Sequence, residues 1–330
     1  MTVDLPIAVA MFLLAAVVIV VAATFLTTSA DIIASRMRLG RLWVGSLLLA
    51  GATSLPELAT AVAAALAGSA ELAAGNMFGA NMLNMSNLAI LLALFGGRQV
   101  FQRLAPQQWL VAASAIAVTG IATLFAALRT DVTWLAVSIP GVVILVIYLV
   151  LSGVLRQYSK GIEEQSEEEE PSHSLRWAWM VFIVCAGAIF VSGPLLAFSA
   201  QRIADLTGIG ASFMGVLALA LVTTLPELTT TYTAFRIGAH DMAVANMYGT
   251  NSFNIAALAV ADLSFSGGSL FGSVDISTVC AGLIATLLMS LGMLQILRRR
   301  PMKLFSLTEP SPPLIVGLYV LGLSVVFQLA

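Results

Sequence analysis

Long apolar runs dominate this 330-residue chain, and they restrict its fold more than any other feature. A helix needs about 20 predominantly apolar residues to cross the hydrocarbon core of a bilayer. Runs such as 142–147 do not alternate polar and apolar residues, which excludes a transmembrane β-barrel. We therefore predict an all-α polytopic membrane protein with ten transmembrane helices. The predicted spans are 5–27, 42–66, 71–95, 107–128, 133–155, 177–199, 212–236, 241–263, 274–297 and 312–330.

The composition excludes the main classes of water-soluble protein. Hydrophobic residues make up 59% of the chain and charged residues only 10%, against about 25% charged residues in soluble proteins. So few charges do not cover a water-facing surface, and a net charge of −2 without a basic tail gives no electrostatic basis for binding nucleic acid. The lipid bilayer is a predicted partner and nucleic acid is not. The sequence contains no feature that defines an oligomeric state.

The distribution of lysine and arginine predicts the orientation, because cytoplasmic loops are enriched in these residues. With the N-terminus outside, 13 of the 15 basic residues fall in cytoplasmic segments. The two exceptions are Arg129 and Arg202. We therefore predict that both the N-terminus and the C-terminus lie outside.

The chain contains an internal repeat with an offset of 170 residues. Segments 45–84 and 215–254 align without a gap and are identical at 18 of 40 positions. The acidic segment 156–176 separates a first five-helix repeat, 1–155, from a second, 177–330, and is predicted to be a cytoplasmic linker. Because five is odd, the second repeat would enter the membrane from the opposite side. Inverted repeats of this kind are typical of secondary transporters, whose substrate sites lie near the membrane midplane.

Each repeat places one acid deep in an apolar span, Glu57 in the first and Glu227 in the second. A carboxylate at the centre of a bilayer costs about 2.5–3.5 kcal/mol, so it is a candidate functional residue. The alternative is a glutamate that is merely protonated or hydrogen-bonded inside the bundle. The occurrence of both acids in matching Thr-(Ser/Thr)-Leu-Pro-Glu motifs favours a functional role.

The prolines of these motifs predict a source of further oxygen ligands. Pro56 and Pro226 each remove a backbone N–H and leave a carbonyl group unpaired four residues earlier. Such carbonyls, together with two carboxylates and neighbouring hydroxyl groups, form an all-oxygen set suited to a hard cation such as Ca²⁺. Soft metals would require thiolate or imidazole ligands. The hydroxyl groups in question belong to Thr53, Ser54, Thr223 and Thr224.

A second motif follows in each repeat, at 75–84 and 245–254. Asn81 and Asn84 are three residues apart and share one helix face, as do Asn251 and Asn254. A single buried asparagine often serves only to hydrogen-bond two helices together. The repetition of the whole set favours side chains that face the two glutamates.

The paired GATSLPEL and LVTTLPEL segments, each followed by an NMxGxN segment, resemble the repeats of the cation/calcium exchanger superfamily, and in particular its prokaryotic sodium/calcium exchanger branch. The resemblance implies a secondary active antiporter of a prokaryotic inner membrane, not an enzyme. It would exchange Ca²⁺ for Na⁺ by alternating access and would need no cofactor besides the transported ions. It also implies a ligand set. Ca²⁺ would be bound by Glu57, Glu227 and the carbonyls of Thr53 and Thr223. One Na⁺ site would use the Ala50 carbonyl, Thr53, Ser54, Glu57 and Thr250, and the other would use the Ala220 carbonyl, Thr223, Thr224 and Glu227. Asn84 and Asn254 would line the centre of the site.

Two positions depart from the family pattern. Ala80 stands where prokaryotic relatives usually have serine, and Asn254 stands where many have aspartate. The counter-ion therefore stays open between Na⁺, H⁺ and another monovalent cation. A cation channel is a further alternative. An intramembrane hydrolase is disfavoured, because the spans contain neither an HExxH motif nor a Ser/His pair.

Overall fold

The computed structural model describes residues 4–134, 137–159, 173–207, 223–298 and 311–329. Within these ranges the chain is almost entirely helical, which confirms the predicted all-α class. The helices are α1 Leu5–Met37, α2 Arg41–Trp43, a π-helical turn Val44–Leu49, α3 Ala50–Thr53, α4 Leu55–Leu66, α5 Ala70–Leu94, α6 Gly97–Arg103, α7 Gln108–Ala127, α8 Ile139–Ser159, α9 Leu175–Thr207, α10 Leu225–Arg236, α11 His240–Leu263, α12 Leu270–Ser273, α13 Ile276–Arg298 and α14 Ser311–Leu329. Two short strands, β1 Thr133–Trp134 and β2 Val137–Ser138, pair antiparallel between α7 and α8.

Seven of the described helices are long and apolar enough to cross a membrane: α1, α5, α7, α8, α9, α13 and α14. The segment Arg41–Leu66 adds an eighth, if its two bent parts are counted as one span. The chain is therefore an integral membrane protein. The other two predicted spans do not meet both criteria of length and hydropathy within the described residues. Only α10 is described in 212–236, and α11 has the required length but not the required hydropathy.

The polarity of α11 follows from its position at the centre of the bundle. It packs against α4, α5, α7, α8, α10 and the π-helical turn, and 19 of its 24 residues are buried. A helix surrounded by other helices meets little lipid, so its side chains need not be apolar. Glycines permit its closest contact, because a Cβ atom on Gly249 would lie 2.3 Å from the carbonyl oxygen of Ser46.

Some helix boundaries differ from the prediction, and α9 for example ends at Thr207 and not at 199. The span predicted over 5–27 continues as a helix to Met37, because no glycine or proline interrupts it before Arg38, whose left-handed conformation (φ 51°) ends the helix. The predicted start of a helix at residue 133 was wrong, since 133–134 and 137–138 form the β1–β2 hairpin. Pro140 then lies in the first turn of α8, where its missing N–H costs nothing.

The helix boundaries follow the 170-residue offset found in the sequence. α1 and α9 begin and end at exactly equivalent residues, and so do α4 and α10. α5 and α11 begin at equivalent residues. The long helices α1 and α9 also pack along each other. The opposite insertion of the two repeats and their division at 156–176 remain predictions, and residues 160–172 of that linker lie outside the described ranges.

Candidate functional site

The first half of the candidate site is a break in the helix that carries the first TSLPE motif. The chain bends by 51° between Arg41–Thr53 and Leu55–Leu66, and Ser54 at the bend has non-helical backbone angles (φ −90°, ψ 8°). Pro56 lies in the first turn of α4, where it cannot donate a hydrogen bond to the preceding turn. The predicted proline break is thus confirmed. It places Glu57 in the first turn of a new helix, where the helix dipole favours a negative charge.

The second motif repeats this geometry. Thr224 precedes α10 with φ −85° and ψ 6°, close to the values at Ser54. Pro226 and Glu227 then occupy the first turn of α10. The residues before Thr223 that would complete this break, including the predicted ligand Ala220, lie outside the described ranges.

The two glutamates are buried and belong to one polar cluster. Glu57 is 2% exposed and Glu227 is 1% exposed. The Ser54 hydroxyl donates a hydrogen bond to Glu227 Oε1 over 3.3 Å, which joins the first motif to the second. Within the described ranges, no third acid, histidine or cysteine joins them in a metal-type cluster.

Four asparagines from α5 and α11 form a crossed hydrogen-bond network between the two repeats. Asn81 Nδ2 donates to the backbone oxygen of Asn251 (3.1 Å), and Asn251 Nδ2 donates to that of Asn81 (3.4 Å). Asn84 Nδ2 donates to Asn251 Oδ1 (3.1 Å), and Asn254 Nδ2 donates to Asn81 Oδ1 (2.9 Å). All four side chains are at most 1% exposed. Asn81 and Asn251 thus connect the two helices, which is the role that the sequence offered as the alternative.

Several buried oxygens have no hydrogen-bond partner among the described residues. Because an unpaired buried polar atom is costly, such atoms need a physical explanation. Six of them belong to predicted ligands, from both repeats and from the four helices α4, α5, α10 and α11: Glu57 Oε1 and Oε2, Glu227 Oε2, Asn84 Oδ1, Asn254 Oδ1 and Thr250 Oγ1. The others belong to Gln107, Gln108, Thr119, Asn246 and Asp262.

The remaining predicted ligands are also buried but are more engaged. The Thr53 hydroxyl lies 3.1 Å from the carbonyl oxygens of both Leu49 and Ala50. The Ala50 carbonyl in addition accepts the backbone N–H of Ser54 (3.1 Å). Thr223 and Thr224 are 8% and 2% exposed. Ala80, at the repeat position equivalent to Thr250, is buried and supplies only a methyl group.

One polar cluster next to Glu227 was missed in the sequence. Asn246 Nδ2 donates to the hydroxyls of Thr230 (3.0 Å) and Thr231 (2.9 Å), and the Thr230 hydroxyl donates to the backbone oxygen of Glu227 (2.9 Å). The signal was present, because residues 229–231 are three consecutive threonines one turn after the acid. The first repeat has only Thr60 at the corresponding positions.

The two repeats thus each contribute one buried acid in the first turn of a helix. The chain belongs to the sodium/calcium exchanger protein family, whose family model matches residues 7–155 and 177–329. This confirms the resemblance inferred from the motifs and makes the chain a member of a transmembrane antiporter family.

Similarity to individual proteins supports this assignment. The chain is 28% identical to the inner membrane protein YrbG of Escherichia coli over 266 residues, which are 75% of this chain and 77% of YrbG. It is 24% identical to the membrane protein MJ0091 of Methanocaldococcus jannaschii over 259 residues, 76% of this chain and 80% of MJ0091. Its fold matches the structure of the sodium-calcium exchanger NCX_Mj with a TM-score of 0.72 and 20% identity, over 97% of this chain and 99% of that one.

Proposed function

We propose that the protein is a secondary active antiporter that exchanges Ca²⁺ for Na⁺ by alternating access. The observation that carries the proposal is that six side-chain oxygens of the predicted ligands, contributed by both repeats, are buried and have no hydrogen-bond partner among the described residues. Ca²⁺ takes six to eight oxygen ligands in flexible geometry. A bound cation would therefore account for the unpaired oxygens, and it would draw its ligands from both halves of the molecule.

In this proposal Glu57 and Glu227 are the charged ligands of Ca²⁺. Two like charges about 5 Å apart repel by about 3 kcal/mol at an effective dielectric constant of 20. One divalent cation, or two monovalent ones, cancels this repulsion. The two halves rearrange when the site is neutralised and not when it is bare, and this condition couples the movement of one ion to that of the other.

The counter-ion is assigned to Na⁺ on the chemistry of the hydroxyl groups. The hydroxyls of Ser54, Thr224 and Thr250 are buried, uncharged oxygen ligands, and such ligands suit a bound monovalent cation better than a transferred proton. The second candidate, Ca²⁺/H⁺ exchange, is favoured by Ala80, because the first repeat lacks the hydroxyl that Thr250 supplies in the second.

The natural location in this proposal is the inner membrane of a prokaryote, with both termini outside. The positive residues of the cytoplasmic segments support the orientation. The similarity to an inner membrane protein of Escherichia coli supports the location.

Flux through reconstituted liposomes tests the proposal. Uptake of radioactive calcium is measured under an imposed Na⁺, K⁺ or H⁺ gradient, each applied alone. We expect uptake to follow the Na⁺ gradient. Uptake driven by the pH gradient alone would establish the second candidate, and uptake independent of all three gradients would exclude an antiporter. A reversal-potential measurement then distinguishes a channel, which passes Ca²⁺ without a coupled ion.

Two substitutions test the proposed ligands in the same assay. Glu57→Gln and Glu227→Gln remove one charge each while keeping the size of the side chain, and we expect both to abolish coupled uptake. Glu71→Gln is the matched control, because Glu71 is an exposed acid in the first turn of α5. Full transport by Glu57→Gln would exclude that carboxylate as a ligand.

A further inference from the structure

The crossed asparagine network contains two chemically different kinds of amide. Asn81 and Asn251 use every polar atom of their side chains, since each donates to the opposite backbone and accepts from the opposite repeat. Asn84 and Asn254 use only their Nδ2 groups. Their Oδ1 atoms are buried and have no partner among the described residues.

The hydrogen bond donated by Nδ2 fixes the orientation of the amide group, so that the carbonyl oxygen at its other end is available as a ligand. A side-chain amide has a carbonyl oxygen at one end and an NH₂ group at the other. Only the oxygen ligates a cation, and an inward-facing NH₂ group would repel it. Because Asn81 Oδ1 accepts the NH₂ of Asn254, the oxygen of Asn254 must point elsewhere. Asn251 Oδ1 orients Asn84 in the same way.

We propose that Asn81 and Asn251 are positioning residues, which turn the carbonyl oxygens of Asn254 and Asn84 toward the transported cation. This inference rests on the proposed function, since it requires a cation at the site. It assigns the orienting group to the opposite repeat in each case. Asn81 of the first repeat thereby orients Asn254 of the second, and Asn251 of the second repeat orients Asn84 of the first.

The reciprocal bonds between Asn81 and Asn251 give the network its rigidity. Each of these side chains donates a hydrogen bond to the backbone of the facing helix. These bonds fix the Oδ1 atoms that accept the Nδ2 groups of Asn254 and Asn84. Groups that orient metal ligands in this way typically contribute about 10- to 100-fold to metal affinity. We therefore expect Asn81→Ala or Asn251→Ala to weaken Ca²⁺ binding by about 10-fold or more.

Calorimetric titration of the purified full-length protein with CaCl₂ tests this expectation. Asn87→Ala is the matched control, because Asn87 is also a buried asparagine of α5 and makes no hydrogen bond to the four asparagines of the network. We expect its affinity for Ca²⁺ to equal that of the unmodified protein. Wild-type affinity in both Asn81→Ala and Asn251→Ala would overturn the inference.

A double-mutant cycle separates positioning from a general structural effect. If Asn81 acts through Asn254, the variant Asn81→Ala/Asn254→Ala should bind Ca²⁺ no more weakly than Asn254→Ala alone. The same-helix pair Asn81→Ala/Asn84→Ala should instead show two independent losses, which multiply to about 100-fold. An undiminished effect of Asn81→Ala in the Asn254→Ala background would overturn the inference.

The cycle remains usable if an alanine variant fails to fold. Asn81→Leu keeps roughly the volume of the side chain but has no acceptor, and the same comparison in the Asn254→Ala background then decides. The failure of the proposed function gives a different result, because the unmodified protein would itself show no heat of Ca²⁺ binding and no calcium flux. Ca²⁺ binding by the unmodified protein with additive variants contradicts the positioning role alone.

Discussion

The contact between Gly249 and Ser46 gives a quantitative prediction for the packing of the site. An alanine Cβ at position 249 would lie 2.3, 2.5 and 2.7 Å from the carbonyl oxygen, the Cα and the carbonyl carbon of Ser46. Ordinary contacts of a Cβ atom begin at 3.4 Å, so the shortest distance falls short by 1.1 Å. All three atoms belong to the backbone, and no side-chain rotation relieves the clash. The π-helical turn and α11 must move apart.

The expected cost is that of an overpacked core, about 1–3 kcal/mol of unfolding free energy. The control is Gly153→Ala, because Gly153 is exposed within α8 and its Cβ position meets no described atom within 4 Å. Alanine in a helix interior is favoured over glycine by about 0.5–1 kcal/mol. The same chemical change is thus expected to destabilise at position 249 and to leave stability unchanged or raised at position 153.

Thermal unfolding of the detergent-solubilised variants measures the difference. We expect the midpoint of Gly249→Ala to fall by several degrees and that of Gly153→Ala to stay or rise. Calcium uptake should fall in Gly249→Ala as well, because Thr250 and Asn251 follow directly on the displaced backbone. A Gly249→Ala protein that melts with the unmodified chain and transports Ca²⁺ at the full rate would refute the reasoning.

Three further predictions follow from other contacts. Gly193→Ala should lower both the melting midpoint and the rate of calcium uptake, because its Cβ would lie 2.6 Å from the rigid ring of Pro56; unchanged values would contradict this. Asp262 Oδ1 accepts a hydrogen bond of 2.6 Å from the backbone N–H of Leu270, the first residue of α12. Asp262→Ala leaves this buried N–H without an acceptor and should lower the free energy of unfolding, measured by denaturant titration, by about 1–3 kcal/mol. The hydrogen bond from the Ser277 hydroxyl, although partial burial opposes it, holds the pKa of Asp275 below its usual value. The ionised Asp275 therefore stabilises the fold above the usual pKa of aspartate, and this stabilisation is lost as the pH falls through the lowered pKa. Asp275→Asn should accordingly reduce the loss of unfolding free energy at acid pH. An unchanged dependence of stability on acid pH would exclude this effect.

The sequence predicted those parts of the site that depend on neighbouring residues. A proline in an apolar helix breaks the backbone wherever it occurs, so the bend at Ser54 and the place of Glu57 beside it follow from the motif alone. The equivalent angles at Thr224 follow from the repeat. The burial of the acids was predictable too, since the runs around them contain no other charge.

The features that the sequence did not predict depend on contacts between distant residues. The spacing of Asn81 and Asn84 predicted that they share one helix face. It did not show that each would form its hydrogen bonds with an asparagine of the other repeat. The π-helical turn at 44–49 was not predicted, because its residues, including Gly45 and Ser46, are also found in ordinary transmembrane helices. The close contact with α11 accompanies it.

Hydropathy alone was an incomplete guide to the number of spans. α11 counts as a span by length and by its place in the repeat, but its polar residues lower its hydropathy below that of a lipid-facing helix. The 10 residues by which α1 extends beyond its predicted end were missed for a related reason. Hydropathy marks the apolar part of a helix, whereas the helix itself continues until the chain contains a residue that ends it, here Arg38.

The central place of α11 has a consequence for how the protein is made. A segment with this many amides, hydroxyls and acids gains little by leaving the translocon for lipid alone. Its neighbours α4, α5, α7 and α8 all come from the half of the chain that is synthesised first. The earlier helices thus offer the later one a protein surface to insert against, and we expect insertion of α11 to depend on prior assembly of the first half.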